Sequence, residues 1–265
     1  MLALHMQLSS TASRVAIVGV IMSLVACART TLLIPNAAPP SGPLAAARQL
    51  VVVVTPDWNA TTGTLRRFAR DDDAAAWQPA SGSTPVVVGR TGIAWGDASL
   101  ASSMSQPVKR EGDGRSPAGA FPLDTAFGFA PAPDMSWLRM PYAALQTGSD
   151  CVDDGASKFY NTVVDRGSVS RVDWNSAEHM RDIAQYRIGV IVGYNAAPPQ
   201  PGRGSCIFLH IWGGPASVTA GCTALDASEL ESLVRWLDRS RRPMLVQLTS
   251  SEYARLAEAW RLPAR

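Results

Sequence analysis

Lysine is nearly absent: Lys109 and Lys158 are the only two in 265 residues. The formal net charge is +2, with no broad basic excess. That excludes a nucleic-acid partner held mainly by phosphate contacts. Histidine is scarce, at three, and cysteine at four. There is no Cys-x-x-Cys pair, and the spacings match no common zinc pattern, so no metal is expected. The charged, glycine-rich stretch Lys109–Arg115 lacks the Gly-Lys-[Ser/Thr] ending of a phosphate loop. Asp71–Asp73 are contiguous rather than alternating, which suits a solvated turn and not a calcium loop. Hydrophobic residues at 46% and charged ones at 17% give a globular rather than a disordered composition.

Long apolar runs are also missing near the start. The run Val15 to Ala26 is shorter than the roughly 20 residues a spanning helix needs. With Arg14 before it, it fits the apolar core of a secretory signal peptide covering residues 1–26. The run ends Leu24-Val25-Ala26-Cys27, which resembles a bacterial lipobox. Cys27 is then the lipidated first residue of the mature chain. Ala26-x-Ala28 also fits an ordinary signal cleavage, so both readings stand at this point. A lipoprotein carries several acyl chains and stays membrane-anchored, whereas one chain binds marginally. Residues 27–48 are rich in Ala, Pro and Ser, the composition of a linker. Residues 49–265 are left as the folded domain of an exported, cell-envelope protein.

That domain begins all β. Val51 to Val54 is an apolar, β-branched run and predicts a buried strand. Thr64 to Arg70 predicts a second strand, and Pro85–Val88 with Gly92–Trp95 a strand pair. Residues 130–150 predict a long irregular loop bordering a cleft. Ser176 to Ile183 suggests a helix with His179 facing solvent, and Arg187 to Val192 a strand. Asp226 predicts a helix cap, completed by Glu229 three positions on. Leu230, Leu233, Val234 and Leu237 then share one helical face. Met244 to Leu248 predicts another strand, and Glu252 to Trp260 a last helix.

The chemistry concentrates in His210-Ile-Trp-Gly-Gly-Pro-Ala-Ser-Val-Thr-Ala-Gly-Cys222. Cys206 to His210 reads as a short buried strand delivering His210 to its end, and Gly213-Gly214-Pro215 forces a loop. A Cys/His pair suits nucleophilic catalysis, because the thiolate attacks and an imidazole can take and return the proton. Thr219 is placed to hydrogen-bond within the turn. Gly221 lets the backbone bend and a substrate approach. The N–H groups around Cys222 are candidates for an oxyanion hole, and the same groups with the imidazole are expected to lower the thiol pKa.

His-x-x-Gly followed by [Ser/Thr]-x-Gly-Cys resembles the signature of the bacterial L,D-transpeptidase catalytic-domain family. Upstream, Arg115-Ser-Pro-Ala-Gly-Ala-Phe-Pro-Leu123 resembles that family's Thr-Pro-x-Gly-x-Phe segment, in the same order along the chain. The resemblance covers roughly residues 49–262. It implies an α+β domain, mostly β with a few helices, of the mixed-sheet L,D-transpeptidase type. It implies acyl transfer on peptidoglycan stem peptides without a cofactor. Cys222 is then the nucleophile and His210 the base, with Thr219 and Gly221 shaping the turn and Pro117–Gly119 forming a turn beside the site. Trp212, Gly213 and Gly214 are expected to touch substrate. Two positions depart from the pattern. Ala220 stands where the family often has His, and Ala224 where it often has Arg or Asn. The second departure leaves the acceptor open.

Hydrolysis by the same residues is the nearest alternative, as an L,D-carboxypeptidase or a peptidoglycan amidase. A non-catalytic peptidoglycan-binding lipoprotein is a second; retention of both His210 and Cys222 argues against it. A papain-like protease would place its Cys before its His, and the order here is reversed. With Cys27 lipidated and Cys222 catalytic, Cys151 and Cys206 remain and can form a disulfide in an exported protein. The other readings are two separate buried thiols, or zinc held by Cys206, His210 and Cys222. A monomer is expected. The anchor has its own test: Cys27→Ala should move the protein from membranes to the soluble fraction, and unchanged lipid labelling and membrane retention would remove the lipobox.

Overall fold

Four consecutive valines make sense only where both faces of a strand are covered. Val51 to Val54 lie in β1 (Gln49–Thr55), and every residue of that strand is buried. The computed structural model describes residues 42–264. The signal segment, the Cys27 anchor and the linker up to residue 41 lie outside the described residues. Residues 42–48, the end of the expected linker, pack onto the domain instead. Leu44 and Ala47 are buried. The Arg70 guanidinium collects the carbonyls of Leu44, Ala45 and Ala47 at 2.6–3.0 Å.

After β1 come β2 (Thr62–Ala69), β3 (Gln78–Pro79), β4 (Thr84–Val87), β5 (Ile93–Trp95) and the long β6 (Ser116–Gly128). Then follow β7 (Tyr142–Ala144), β8 (Ser149–Val152), β9 (Val163–Asp165), β10 (Ala177–His179), β11 (Ile188–Val192) and β12 (Phe208–Ile211). The described chain finishes with β13 (Thr223–Leu225), α1 (Ala227–Trp236), β14 (Met244–Thr249) and α2 (Ser250–Leu256). The fold is α+β, mostly strand with two α-helices among the described residues. The main sheet runs in the order β1-β14-β6-β11-β12-β13-β4-β2-β3, and β1 also pairs with β2. Its parallel and antiparallel pairs are mixed: β1–β14 and β12–β13 are parallel, β6–β11 and β11–β12 antiparallel.

Helix α1 forms as its apolar spacing predicts. Asp226 caps it by accepting from the Ser228 N–H at 2.8 Å, and Leu230, Leu233 and Val234 are buried. Glu229 does not complete a capping box. Its carboxylate accepts from Thr84 Oγ1 at 3.0 Å and ties the helix to β4. The last helix is shorter than expected, ending at Leu256, though Tyr253, Leu256 and Trp260 are buried together.

Several local expectations are corrected. β4 and β5 do not form a strand pair: β4 joins β13 and β2, while β5 joins β6. Pro117 to Gly119 are not a turn but part of β6, where β5 and β14 supply partners on the two sides. Ser176 to Ile183 contain no α-helix; β10 leads into a 3-10 turn. Residues 130–150 carry a 3-10 turn and β7, and they do not line the cavity described below.

A second, small sheet, β10-β8-β9, stands beside the main one. Its centre is Asp150, 1% exposed. That carboxylate accepts from Arg166 Nε at 2.6 Å and Trp174 Nε1 at 2.8 Å, and bonds His179 Nδ1 at 2.7 Å. A buried carboxylate is tolerable when its oxygens are this fully satisfied. His179 does face solvent over half its side chain, but it is spoken for by Asp150. Next to Asp150, Cys151 is joined to Cys206 by a disulfide across 55 positions. The bond links β8 to the segment entering β12. Reduction of this disulfide, or the Cys151→Ser/Cys206→Ser double variant, should lower unfolding free energy by about 2–5 kcal/mol. Denaturant melts with and without reductant measure it; coincident curves would show that the bond contributes nothing.

Candidate active site

The site is built where two parallel strands run side by side. In the β12–β13 ladder, His210 is in register with Ala224 and Leu209 with Thr223. Cys222 therefore sits one residue before β13, level with Phe208. The Phe208 N–H points at the Cys222 sulfur, 3.3 Å away. On another side the thiol faces the Cys206 carbonyl at 3.4 Å. His210 and Cys222 both line one cavity of about 410 Å³. So the two sequence-predicted centres, twelve positions apart, meet in one place. The loop between them lies alongside: Trp212 and Gly213 line the same cavity. Gly214 is not among the lining residues; it makes the turn, at φ +128°.

The turn before the thiol is fixed by hydroxyls. Thr219 Oγ1 donates to the Cys222 carbonyl at 2.6 Å and accepts from the Gly221 N–H at 3.2 Å. Ser116 Oγ donates to the same Cys222 carbonyl at 2.8 Å. Thr219 does what its position predicts. Gly221 is needed for a different reason from the expected bend. It does not adopt a positive φ; a Cβ there would stand 3.2 Å from the Arg115 carbonyl oxygen and 3.3 Å from Ile207 Cδ1. Its N–H is taken up by Thr219, which removes that group from any oxyanion hole.

His210 is 9% exposed, and its Nδ1 lies 2.7 Å from the Ile211 carbonyl. A carbonyl only accepts, so Nδ1 carries the proton and Nε2 keeps its lone pair. The orienting group is thus backbone. Burial lowers the His210 pKa, against a smaller upward pull from that carbonyl. The imidazole is therefore neutral at pH 7, the form a base needs.

The thiol contradicts one expectation. It is not held as a thiolate by its neighbours. Burial pushes the Cys222 pKa well up, and the Glu178 charge adds to this. The Phe208 N–H, Tyr186 and Lys109 pull the other way without prevailing. No hydrogen bond joins His210 to the sulfur among the described residues; the imidazole instead packs edge-on against Tyr186, ring centroids 5.2 Å apart.

The rest of the wall escapes motif reading. Tyr186 lies just before β11, packed against Phe208 at 5.4 Å and Phe127 at 5.7 Å. Its hydroxyl reaches Glu178, which also lines the cavity. The charged, glycine-rich stretch contributes Lys109, Glu111 and Gly112 to the lining. Lys109 is buried and bound to Asp113 at 2.7 Å. Glu111 accepts from Tyr160 at 2.5 Å and Ser205 at 3.0 Å. Only the loop's adjacency to the Pro-Ala-Gly segment signalled its place. Cys206 is spent in the disulfide and so is no zinc ligand. Among the described residues, no group of three or more His, Cys, Asp and Glu is arranged to hold a metal. None of the described helices is long and apolar enough to cross a membrane.

In comparisons with known proteins, no protein-family model, no curated protein and no solved structure matches the chain. The raised thiol pKa makes a direct prediction. Stability or reactivity tied to the thiolate appears only at alkaline pH, so alkylation of Cys222 in the ligand-free protein should be slow at pH 7. It should keep rising past about pH 10, where an ordinary cysteine has already levelled off. A plateau near pH 7, read by intact-protein mass, would show that the thiolate is preformed.

Proposed function

We propose that the chain is an L,D-transpeptidase-like cysteine acyltransferase of the cell envelope, acting on peptidoglycan stem peptides. One observation carries the reading: Cys222, one residue before β13, and His210, in the adjacent parallel β12, open into one cavity, with a backbone N–H aimed at the sulfur. In this mechanism His210 Nε2 takes the thiol proton as substrate enters. The sulfur attacks the carbonyl of a meso-diaminopimelate residue that precedes D-alanine. The C–N bond breaks, a thioester remains, and the D-alanine amine leaves with the proton from His210. An amine then resolves the thioester in a cross-link. The mixed sheet and the Cys151–Cys206 bond fit an exported enzyme of this kind.

Hydrolysis by the same residues is favoured by one feature. Ala224, fully buried and in register with His210, presents a methyl where the family often has Arg or Asn. Nothing charged is offered there to an acceptor, and water needs no such group.

Incubation with defined muropeptides, followed by mass spectrometry, separates cross-linking, trimming and no reaction. Cys222→Ser should fold but lose turnover and lose the adduct formed with a carbapenem, an activated acyl donor. His210→Ala should slow acylation by about 10²–10⁴, the usual worth of a positioned base. Full turnover by Cys222→Ser would remove the thiol from the mechanism.

A further inference from the structure

Two groups beside the thiol have no task in the reaction as written. Tyr186 donates its hydroxyl proton to Glu178 Oε2 at 2.7 Å. The Tyr186 ring packs against Phe208, whose N–H is aimed at the Cys222 sulfur, and against His210, with ring centroids 5.4 and 5.2 Å apart. A phenol has one proton to give. While that proton serves the carboxylate, it cannot serve a thiolate. The negative charge of Glu178 acts in the same direction, because like charge nearby disfavours ionisation. Both groups line the cavity that holds Cys222 and His210.

We propose that Glu178, acting through Tyr186, is a positioning residue that keeps Cys222 protonated in the empty site and releases it when the carboxylate is neutralised. Protonation neutralises it, and so does pairing with an ammonium group on an entering substrate. A protonated carboxyl donates to Tyr186 Oη. The phenol then turns its own O–H to the sulfur and stabilises the negative charge there. No covalent bond to carbon changes; one hydrogen bond reverses direction. This gives the enzyme a nucleophile that is quiet until the site is filled.

Other charged groups face this pair. Asp153 and Glu111 act on Glu178, and both oppose its ionisation. Lys109 acts on Cys222 and favours the thiolate. His210 meets Tyr186 edge-on. Burial of Glu178 is the largest influence, and it raises the carboxyl pKa. Protonation of this group therefore occurs at a higher pH than for a free glutamate, and Tyr186 is the residue that binds its carboxylate in the cavity shared with Cys222.

The inference rests on Cys222 being the nucleophile, but not on the identity of its substrate. The test is alkylation of Cys222 by iodoacetamide across pH, read by mass on full-length protein with Cys151–Cys206 intact. Glu178→Gln removes the charge, and its amide N–H can donate to Tyr186 Oη. The alkylation profile should move to lower pH, and the rate at pH 7 should rise about tenfold, the worth of one pH unit. Glu178→Asp, which keeps the charge, should stay slow. In a Tyr186→Phe background the gain from Glu178→Gln should shrink markedly. Should Glu178→Gln fail to fold, Glu178→Ala is expected to show the same sign. Slower alkylation in Glu178→Gln would make Glu178 a proton acceptor and overturn the proposal. Equal gains with and without the Tyr186 hydroxyl would also overturn it, leaving only a charge effect. Loss of stem-peptide turnover with an unchanged shift in alkylation would sink the substrate reading alone.

Discussion

Burial of one sulfur is the constraint around which the site is arranged. A thiol enclosed by Phe208, Tyr186 and the Cys206 backbone is shielded from water, which favours its neutral form. The Glu178 charge works in the same direction as burial, while the Phe208 N–H, Tyr186 and Lys109 counter it. The Phe208 N–H offers a partial positive charge that needs no desolvation of its own. The imidazole is kept neutral by the same dryness that keeps the thiol neutral. In such a site the uncharged forms prevail, and the low dielectric strengthens any contact to a charge that does form.

The framework supplies rigidity at the points that matter. Cys222 is followed at once by β13, and His210 lies inside β12, so the spacing between them is set by a ladder rather than by a loop. The carbonyl of Cys222 receives two hydroxyl donors, Thr219 and Ser116, from different parts of the chain. That double anchoring fixes the backbone from which the thiol projects. At Gly221 the packing is tight: a side chain would need Arg115 or Ile207 to shift by a few tenths of an ångström.

Much of this was legible in the sequence, for identifiable reasons. Val51 to Val54, Met244 to Leu248 and the Leu230–Leu233–Val234 stripe are strongly periodic or continuous, and local pattern sufficed. Cys222, His210 and Thr219 stand out in the sequence because chemistry and spacing coincide there, and the fold brings all three to one cavity. The failures are equally local. Pro117 to Gly119 looks like a turn by composition, yet neighbouring strands on both sides hold it extended. Ser176 to Ile183 looks helical, but Glu178 and His179 are drawn to Tyr186 and Asp150 and lie in β10. Tyr186 and Glu178 carry no motif at all. Eight positions apart, they line one cavity with the much later Cys222, and no one-dimensional pattern records that.

The disulfide has a consequence for how the protein matures. Three cysteines lie in the folded domain, and Cys206 lies 16 positions from Cys222 but 55 from Cys151. In an unfolded chain the shorter loop closes more readily, by about 1 kcal/mol on simple loop-closure entropy. Oxidation before folding thus favours the mispaired bond that would consume the Cys222 thiol. Correct maturation needs the β12–β13 ladder to form first and hide Cys222, so that oxidant reaches only the other two. Fidelity of bond formation is then a property of folding order, and the burial that quiets the thiol in the mature protein also guards it during assembly.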